Sequence, residues 1–531
     1  MNHPAPKVIA GLSGILMLAG CAIMPEPITP VEQQTSLNAD KQVIFAKQEP
    51  VSAPLTVYDA MARALKYNLN HRVKMMEHAV ADGQSDLAKF NLLPDLIASA
   101  GYRGRDNYSA SNSRNAVTGA QQLQSSTSQD RSRKVYDFTF SWNVLDFGVS
   151  YFQAKQDANR VLVAEETRRK TAQLLMQDVR TAFWRMAGTQ QLEGEIDKIL
   201  GGARQALKDA QGIETERLAA PLEILQYQKD LLEIIRKLEE LSETLRLAKT
   251  ELASLLGLSP SQKFQLKLPE NNALQAPEFS LPIDKMEEMA LQLRPELREE
   301  IYNNRITTEE THKAMVRLLP GVEFRTGYNY DSNSYLLNNN WLELSGLISQ
   351  NLMELISAPA RFSQIDAQEK LGDARRLSVY MAVLTQVHLS YQQFLVAQQQ
   401  YKRTQELDDI TQKISKHISN DAENDAKTEL EQIRATTNAL MSKLQSLEAY
   451  ASIQSSMGRV YVSLGLDPLP VFIENYDIKT LATSIESVDK NWQAGRFPEV
   501  TKSSADKVSA VDANVAKKDA KDQPWWCLTC L

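Results

Sequence analysis

The sequence predicts a mainly α-helical protein with a small β part, built from two tandem copies of one helix–strand–strand–long helix–helix unit. Three observations predict this fold class. The two halves of the chain align with each other, long stretches contain no proline, and four short segments alternate between apolar and polar residues. Together these features indicate long packed helices joined to a few two-faced strands.

The internal repeat is the strongest of the three observations. A shift of 226 residues aligns Leu92-Leu93-Pro94 with Leu318-Leu319-Pro320. A shift of 208 residues aligns the Leu-Gly-Leu-x-Pro segment at residues 256–260 with the one at residues 464–468. Each segment aligns without gaps, so the 18-residue difference between the shifts falls in one loop between residues 103 and 140.

Each half begins with a helical stretch of about 35 residues, near 55–91 and 281–317. These stretches end before Pro94 and Pro320, since proline cannot continue a helix. A pair of short strands then follows in each half.

Proline spacing permits unusually long helices after the strands. No proline lies between Pro94 and Pro221 or between Pro359 and Pro468. Stretches near 149–211 and 357–419 can therefore form helices of about 60 residues, far above the average length. A last helix is expected near 221–256 and 427–465, where apolar residues recur every three or four positions, as in helices packed in a coiled coil. In the first half these are Leu231, Ile235, Leu238, Leu241, Leu245, Ala248, Leu252 and Leu255.

The strand segments alternate with a period of two, which places apolar side chains on one face and polar ones on the other. The pattern is typical of a half-buried soluble sheet and also of a membrane barrel with a wet interior. Each segment is about 9–11 residues long, which suits a tilted membrane strand. In the barrel interpretation the residues facing lipid are Tyr136, Phe138, Phe140, Trp142, Phe324 and Tyr328.

The N-terminus has the features of an export signal with a site for lipid attachment. The apolar run Val8–Leu18 is too short to span a bilayer. Leu18-Ala19-Gly20-Cys21 resembles a bacterial lipobox, so we expect residues 1–20 to be removed and Cys21 to carry lipid. Ala22 rather than aspartate follows, which resembles the outer-membrane default of lipoprotein sorting. The alternative is an ordinary secretory signal in which the cysteine is incidental.

The sequence carries no motif that points to an enzyme, a metal or a cofactor. The six histidines are scattered, and no third ligand accompanies His71 and His78. Asp146-Phe147-Gly148 matches the metal-binding triplet of kinases, but the other kinase motifs are absent from the sequence, so a glycine turn is the favoured interpretation. The net charge of −7 argues against nucleic acid as the main partner, because phosphate binding needs a basic face.

Four strands cannot close a membrane barrel, because the smallest single-chain barrels have about eight strands and open edges are not tolerated in lipid. Several copies would therefore have to pool their strands. With Pro94 and Pro320 at the helix-to-strand junctions of two tandem halves, the layout of residues 50–470 resembles the TolC-like outer-membrane factors. The resemblance rests on architecture and repeat order rather than on a sharp motif.

The resemblance implies a homotrimer with a twelve-stranded outer-membrane β-barrel continued by a periplasmic α-helical barrel, in which the short helices stack end to end. It also implies a passive export channel of a tripartite efflux or type I secretion system. The implied partners are a periplasmic adaptor protein, an inner-membrane transporter and outer-membrane lipid. The sequence does not specify the cargo.

The resemblance also implies a closed inner end at the two helix–helix turns, near 211–221 and 418–428. Family tips often carry a glycine about six residues before an acidic–apolar pair. Glu223-Ile224 matches the pair, while Arg217 stands in the glycine place. We therefore expect the adaptor to dock at this turn in a way that differs from the usual docking in the family.

The second turn carries three acidic residues. In a trimer, each acid that faces the lumen becomes a ring of three, which would favour cations and form a constriction. The alternative is a solvated turn that merely carries charge. The candidates are Asp421, Glu423 and Asp425.

The domain prediction follows from the repeat. Residues 55–270 form the first repeat and 281–470 the second, after an extended linker at 21–54. Residues 471–531 lose the repeat and are expected to be partly disordered. For the CxxC pair at 527–530, a local disulfide is favoured over a metal or redox role.

A function from a different class stays open. The chain could form a non-conducting structural or adhesive coiled-coil lipoprotein of the cell envelope. The repeated alternating strands favour the channel, because a scaffold has no need of them.

Overall fold

The structure is a computed structural model that describes residues 26–45, 48–122, 124–215, 221–268, 274–423, 429–469 and 476–498. The chain divides into two units, Met1–Ser52 and Ala53–Leu531.

The N-terminal unit contains helix α1 (Pro30–Phe45), none of whose residues is buried. The linker predicted for residues 21–54 is therefore not extended throughout. Pro30 suits the first turn of a helix, and the Thr29 hydroxyl accepts a hydrogen bond from the Glu32 N–H at 3.2 Å, which caps the helix start.

The large unit contains one series of elements twice. The first repeat comprises α2 (Val57–Tyr67), α3 (Leu69–Phe90), β1 (Asp95–Gly104), β2 (Ala110–Ser111), β3 (Ser126–Thr127), β4 (Ser132–Asn143), α4 (Val144–Thr215) and α5 (Pro221–Leu255). The second comprises α6 (Ile283–Leu293), α7 (Pro295–Val316), β5 (Gly321–Asp331), β6 (Asn340–Ser349), α8 (Leu352–Glu423) and α9 (Glu429–Ser463). Helix α10 (Ile478–Gln493) follows the second repeat.

The helices of the two repeats match in length. They have 11 residues in α2 and α6, 22 in α3 and α7, 72 in α4 and α8, and 35 in α5 and α9. Their starting residues differ by 226 before the strands and by 208 after them, which confirms the repeat alignment. The small β2–β3 hairpin lies in the loop that accounts for the difference.

The first helical stretch of each repeat is broken, although the sequence predicted it to be continuous. Asn68 separates α2 from α3 and accepts a hydrogen bond from the His71 N–H at 3.1 Å. Arg294 separates α6 from α7, because a residue before proline is restricted to extended backbone and Pro295 begins α7. The short helices therefore follow each other with a single residue between them.

The core of the large unit lies between the long helices. Helix α4 packs against α5 of its own repeat and against α7 and α9 of the other. The predicted apolar seam contributes Leu231 and Leu238, which are fully buried. At 1.5 Å per residue, each 72-residue helix is about 110 Å long. Helix α8 continues through Pro359 in its first turns, so it begins earlier than the sequence predicted.

Helix α10 packs against α2, although the sequence placed it in an extension that lacks the repeat. Its Asp489 is buried and pairs with Arg180 of α4 at 2.6 Å. The Trp492 ring lies 4.8 Å from the ring of Tyr461 of α9. Cys527 and Cys530 lie outside the described residues.

Candidate functional site: a two-faced sheet and the helix tips

One antiparallel sheet joins the two repeats, with the strand order β1-β4-β5-β6. Ala98 lies opposite Phe138, Phe138 opposite Tyr328, and Tyr328 opposite Leu342. Because partners in an antiparallel pair point to the same side, this row across all four strands shares one face.

That face is apolar and uncovered. The six residues predicted to face lipid all lie on it, and Phe138 and Tyr328 are 55% and 52% exposed. The rings of Tyr136 and Tyr330 stack there at 5.7 Å. On the edge strand, Leu344 is 80% exposed. A continuous apolar surface of this kind marks a contact with lipid or with another protein.

The opposite face is polar and tied together by charged groups. Arg133 pairs with Asp331 at 2.8 Å, and Arg325 pairs with Glu323 at 2.7 Å. Three side-chain hydrogen bonds also link neighbouring strands, donated by Ser99 to Asp137, by Ser141 to Glu323 and by Asn329 to Glu343. The sequence analysis did not single out these residues, although they occupy the polar positions of the same alternating segments.

Both outer strands have an unpaired edge. Within the part of the chain that the structure describes, no strand pairs with the outer side of β1 or of β6. An unpaired edge offers free N–H and C=O groups, which are a template for another strand.

The residues predicted at the helix tips are only partly described. Glu223 and Ile224 lie in the first turn of α5, where Glu223 is exposed and Ile224 is buried. Asp421 and Glu423 end α8, and Asp425, Arg217 and Cys21 lie outside the described residues. The adaptor-docking, constriction and lipid-anchor roles of these residues stay predictions.

An ion pair that the sequence analysis missed lies near the same tips. Asp230 of α5 pairs with Arg434 of α9, so it joins the last helices of the two repeats. By contrast, the pair of Arg204 with Glu239 at 2.7 Å joins α4 and α5 within one repeat. No local pattern could reveal the first pair, because its members are far apart in sequence.

The described residues also place the histidines that the sequence analysis considered. His71 is buried, and its Nδ1 lies 3.0 Å from the Leu65 carbonyl oxygen. His78 lies 3.8 Å from Glu165. Among the described residues, no group of three or more His, Cys, Asp or Glu is arranged to hold a metal ion. None of the helices in the described ranges is long and apolar enough to cross a membrane.

Comparison with known proteins finds likeness in structure but not in sequence. No family model matches the chain, and no curated protein matches it. The CmeC outer membrane channel of Campylobacter jejuni superposes with a TM-score of 0.63 at 12% identity, over 84% of this chain and 94% of that one. The outer membrane protein VceC of Vibrio cholerae gives 0.57 at 13% identity, over 77% and 96%.

The MtrE outer membrane channel of Neisseria gonorrhoeae, solved in an open state, gives a TM-score of 0.56 at 14% identity, over 77% of this chain and 89% of that one. In each case the match covers the greater part of both chains. The chain therefore has the fold of the TolC-like outer-membrane factors.

Proposed function

We propose that the protein is one subunit of an outer-membrane export channel, a passive duct with a water-filled lumen. The two-faced sheet carries the proposal, with an exposed apolar face, an ion-paired polar face and two unpaired edges. Hydrocarbon suits the first face and water the second, and a closed ring of strands provides both at once. Two of the matched structures, CmeC and MtrE, are outer membrane channels, which supports the same role for this protein.

Closure of the ring requires other copies of the chain. The four-stranded sheet presents one free edge at β1 and another at β6. Pairing of β6 in one copy with β1 in the next would leave no edge in lipid, as the bilayer requires. Three copies would supply twelve strands, an even number within the range of outer-membrane barrels.

The helices support the same assembly. Leu440 of α9 is 2% exposed because it packs in the cluster formed with α4, whereas its counterpart on α5, Leu232, is 53% exposed. Ser455 of α9 is buried, and its counterpart Leu247 is 63% exposed. Helix α8 is the counterpart of α4, so α8 of a neighbouring copy is the surface that would cover α5.

Conductance across planar bilayers tests the proposal. Purified full-length protein should insert and give stepwise conductance each time the inner end opens, because the open lumen then connects the water on both sides. Light scattering on the same sample should give the mass of three chains. A non-conducting scaffold or adhesin would give no current, which would overturn the proposed function.

A charge on the lipid side of the sheet should destabilise the protein more than the same charge on the lumen side. Phe138→Arg places a guanidinium near the middle of β4 on the apolar face, and the expected cost is about 2–4 kcal/mol. Thr139→Arg is the matched control, because it changes the next residue on the polar face and should cost much less. Urea unfolding of both variants in lipid vesicles measures the difference. Equal losses of unfolding free energy in the two variants would contradict the assignment of one sheet face to lipid and the other to the lumen.

We propose that the inner end is closed at the helix tips and that the Asp230–Arg434 pair helps to hold it closed. Arg434→Glu places two like charges together, so we expect more frequent opening in single-channel recordings. Asp230→Arg combined with Arg434→Glu should restore the closed state. Glu239→Ala removes the ion pair of Arg204 with Glu239, which joins α4 and α5 of one repeat. It serves as the control that should leave the frequency of opening unchanged. If Arg434→Glu leaves the frequency of opening unchanged, the Asp230–Arg434 pair does not help to hold the inner end closed.

The remaining assignments complete the proposed function. Cys21 would anchor the chain to the outer membrane, and the turn with Arg217, Glu223 and Ile224 would meet a periplasmic adaptor that connects to an inner-membrane transporter. The acids Asp421, Glu423 and Asp425 would line the constriction. Neutralising them to the corresponding amides should lower the preference of the open channel for cations, measured by reversal potentials in a salt gradient. An unchanged reversal potential would place these acids outside the conduction path.

A further inference from the structure

We infer that β6 of one subunit pairs with β1 of the next in one fixed register, in which Glu343 lies opposite Arg105 of the partner subunit. The inference rests on the proposed trimer and goes beyond it, because it specifies how the barrel seam is closed. It follows from the two repeat shifts and from charged groups at the sheet edges that, among the described residues, have no oppositely charged partner.

The repeat shifts predict strand register within the chain. Asp95 of β1 lies opposite Ser141 of β4. Moving the first forward by 226 residues and the second by 208 gives Gly321 and Ser349, which lie opposite each other in the β5–β6 pair. The same two shifts that align the sequence therefore reproduce the pairing of the second hairpin from that of the first.

The same two shifts can be applied to the β4–β5 pairing, which joins the two repeats. They then give the pairing of β6 with β1 of the next subunit. Val135 of β4 lies opposite Asp331 of β5. Moving Val135 forward by 208 residues gives Glu343 of β6, and moving Asp331 back by 226 gives Arg105, just after β1. The register of the β4–β5 pairing within a chain thus predicts the register of the β6–β1 pairing between two chains.

The derived register keeps the two faces of the sheet intact. The pair Phe138 and Tyr328 on the apolar face maps onto Gly346 and Tyr102 of the partner subunit. Tyr102 and Leu344 are both highly exposed in the single chain. A slip by one residue would bring apolar positions of one strand beside polar positions of the other, and burial of one face disfavours such a slip.

Charge complementarity supports the same register. Among the described residues, the Arg103 and Arg105 guanidinium groups have no acidic partner. In the described part of the chain, Glu343 of β6 accepts hydrogen bonds from two neutral groups and from no cation, namely Asn329 of β5 at 3.2 Å and Trp341 of its own strand at 3.5 Å. The register places Glu343 opposite Arg105 of the partner subunit and diagonal to its Arg103. Opposite charges at such cross-strand positions stabilise a sheet.

Cysteine cross-linking tests the register. The derived joint places Ser349 opposite Ser99 of the partner subunit, because they correspond to Ser141 and Arg325 in the β4–β5 pair. Opposite residues have Cα atoms about 4.5–5.5 Å apart, within the range that a disulfide needs. We expect Ser99→Cys with Ser349→Cys, in a Cys527→Ser, Cys530→Ser background, to give covalent dimers and trimers upon oxidation.

A register-shifted pair is the matched control. Ser99→Cys with Ser345→Cys should not cross-link, because the two positions would be about 13 Å apart along the strands. If the protein is trimeric by light scattering but cross-links only in the shifted pair, the register is overturned while the proposed channel stands. If the protein is monomeric, both the register and the proposed trimer fail.

Charge reversal tests the ion pair separately from the register. Glu343→Arg should lower the temperature at which the trimer dissociates on a gel, and adding Arg105→Glu should recover at least half of that loss. Arg114→Glu, in the loop outside the joint, is the control that should not rescue Glu343→Arg. Failure of Arg105→Glu to rescue, or equal rescue by the control, would overturn the pairing of Glu343 with Arg105 of the partner subunit.

Discussion

Replacement of Asp489 by alanine should lower the free energy of unfolding by about 3–5 kcal/mol. The carboxylate is buried between helices and pairs with the equally buried Arg180 at 2.6 Å. It also accepts hydrogen bonds from the Tyr58 hydroxyl at 3.0 Å and from Gln493 at 2.8 Å. Burial, and then the adjacent Asp489 carboxylate, raise the pKa of Tyr58 well above its usual range. Loss of Asp489 would leave a guanidinium without a counter-charge in the core.

Urea unfolding in detergent micelles, followed by circular dichroism, measures this loss. Glu251→Ala is the matched control, because Glu251 of α5 pairs with Arg185 of α4 at 2.8 Å, but both side chains are about half exposed. A surface pair of this kind contributes about 0–1 kcal/mol. Arg180→Met combined with Asp489→Leu should recover most of the stability, since it removes both charges. Equal effects of Asp489→Ala and Glu251→Ala would contradict a buried pair.

Gly465→Ala should lower the free energy of unfolding by about 3 kcal/mol or more, because it introduces backbone strain and a steric collision. Gly465 lies two residues after the end of α9 and has φ at +70°, a conformation that favours glycine. A Cβ atom there would lie 2.6 Å from the carbonyl carbon of Leu293 and 2.7 Å from the nitrogen of Arg294. These are backbone atoms at the break between α6 and α7, so they cannot move aside as a flexible side chain would.

Two further variants make the Gly465 result specific. Gly257, at the equivalent place in the first repeat, has φ at +69°, and its added Cβ would meet the Tyr67 oxygen at 2.9 Å, so Gly257→Ala should cost somewhat less. Gly201 lies in α4, and among the described residues no atom beyond its chain neighbours and the surrounding backbone of its own helix lies within 4 Å of the added Cβ. Gly201→Ala should therefore stabilise the protein by about 0.5–1 kcal/mol. The same unfolding experiment measures all three, and a harmless Gly465→Ala would contradict the close packing at this cap.

The repeated glycine shows why much of the fold was predictable. The Leu-Gly-Leu-x-Pro segment aligned the halves in sequence. In the structure it directly follows α5 and α9, and its glycine packs against the break between the short helices. Helix lengths and the strand segments followed from proline spacing and period-two alternation. The break at Arg294 had a local signal in Pro295, whereas Asn68 occupies the same place without proline.

Other features had no signal of that kind. Helix α10 lies outside the repeat, and its stability depends on the contact of Asp489 with Arg180, which is 309 residues away in sequence. The Asp230–Arg434 pair depends in the same way on the packing of α5 near α9. For the sheet, the sequence predicted which residues share the apolar face, but the cross-strand partners of the charged residues required the register.

Accessibility of nitroxide labels along β4 tests the central claim most directly. Single cysteines at positions 136 to 142 would be spin-labelled in the assembled protein in lipid bilayers. We predict that labels at 136, 138, 140 and 142 collide mainly with oxygen, which dissolves in lipid. Labels at 137, 139 and 141 should instead collide mainly with a water-soluble nickel complex. Loss of this alternation, or its reversal, would contradict a sheet that faces lipid on one side and an aqueous lumen on the other.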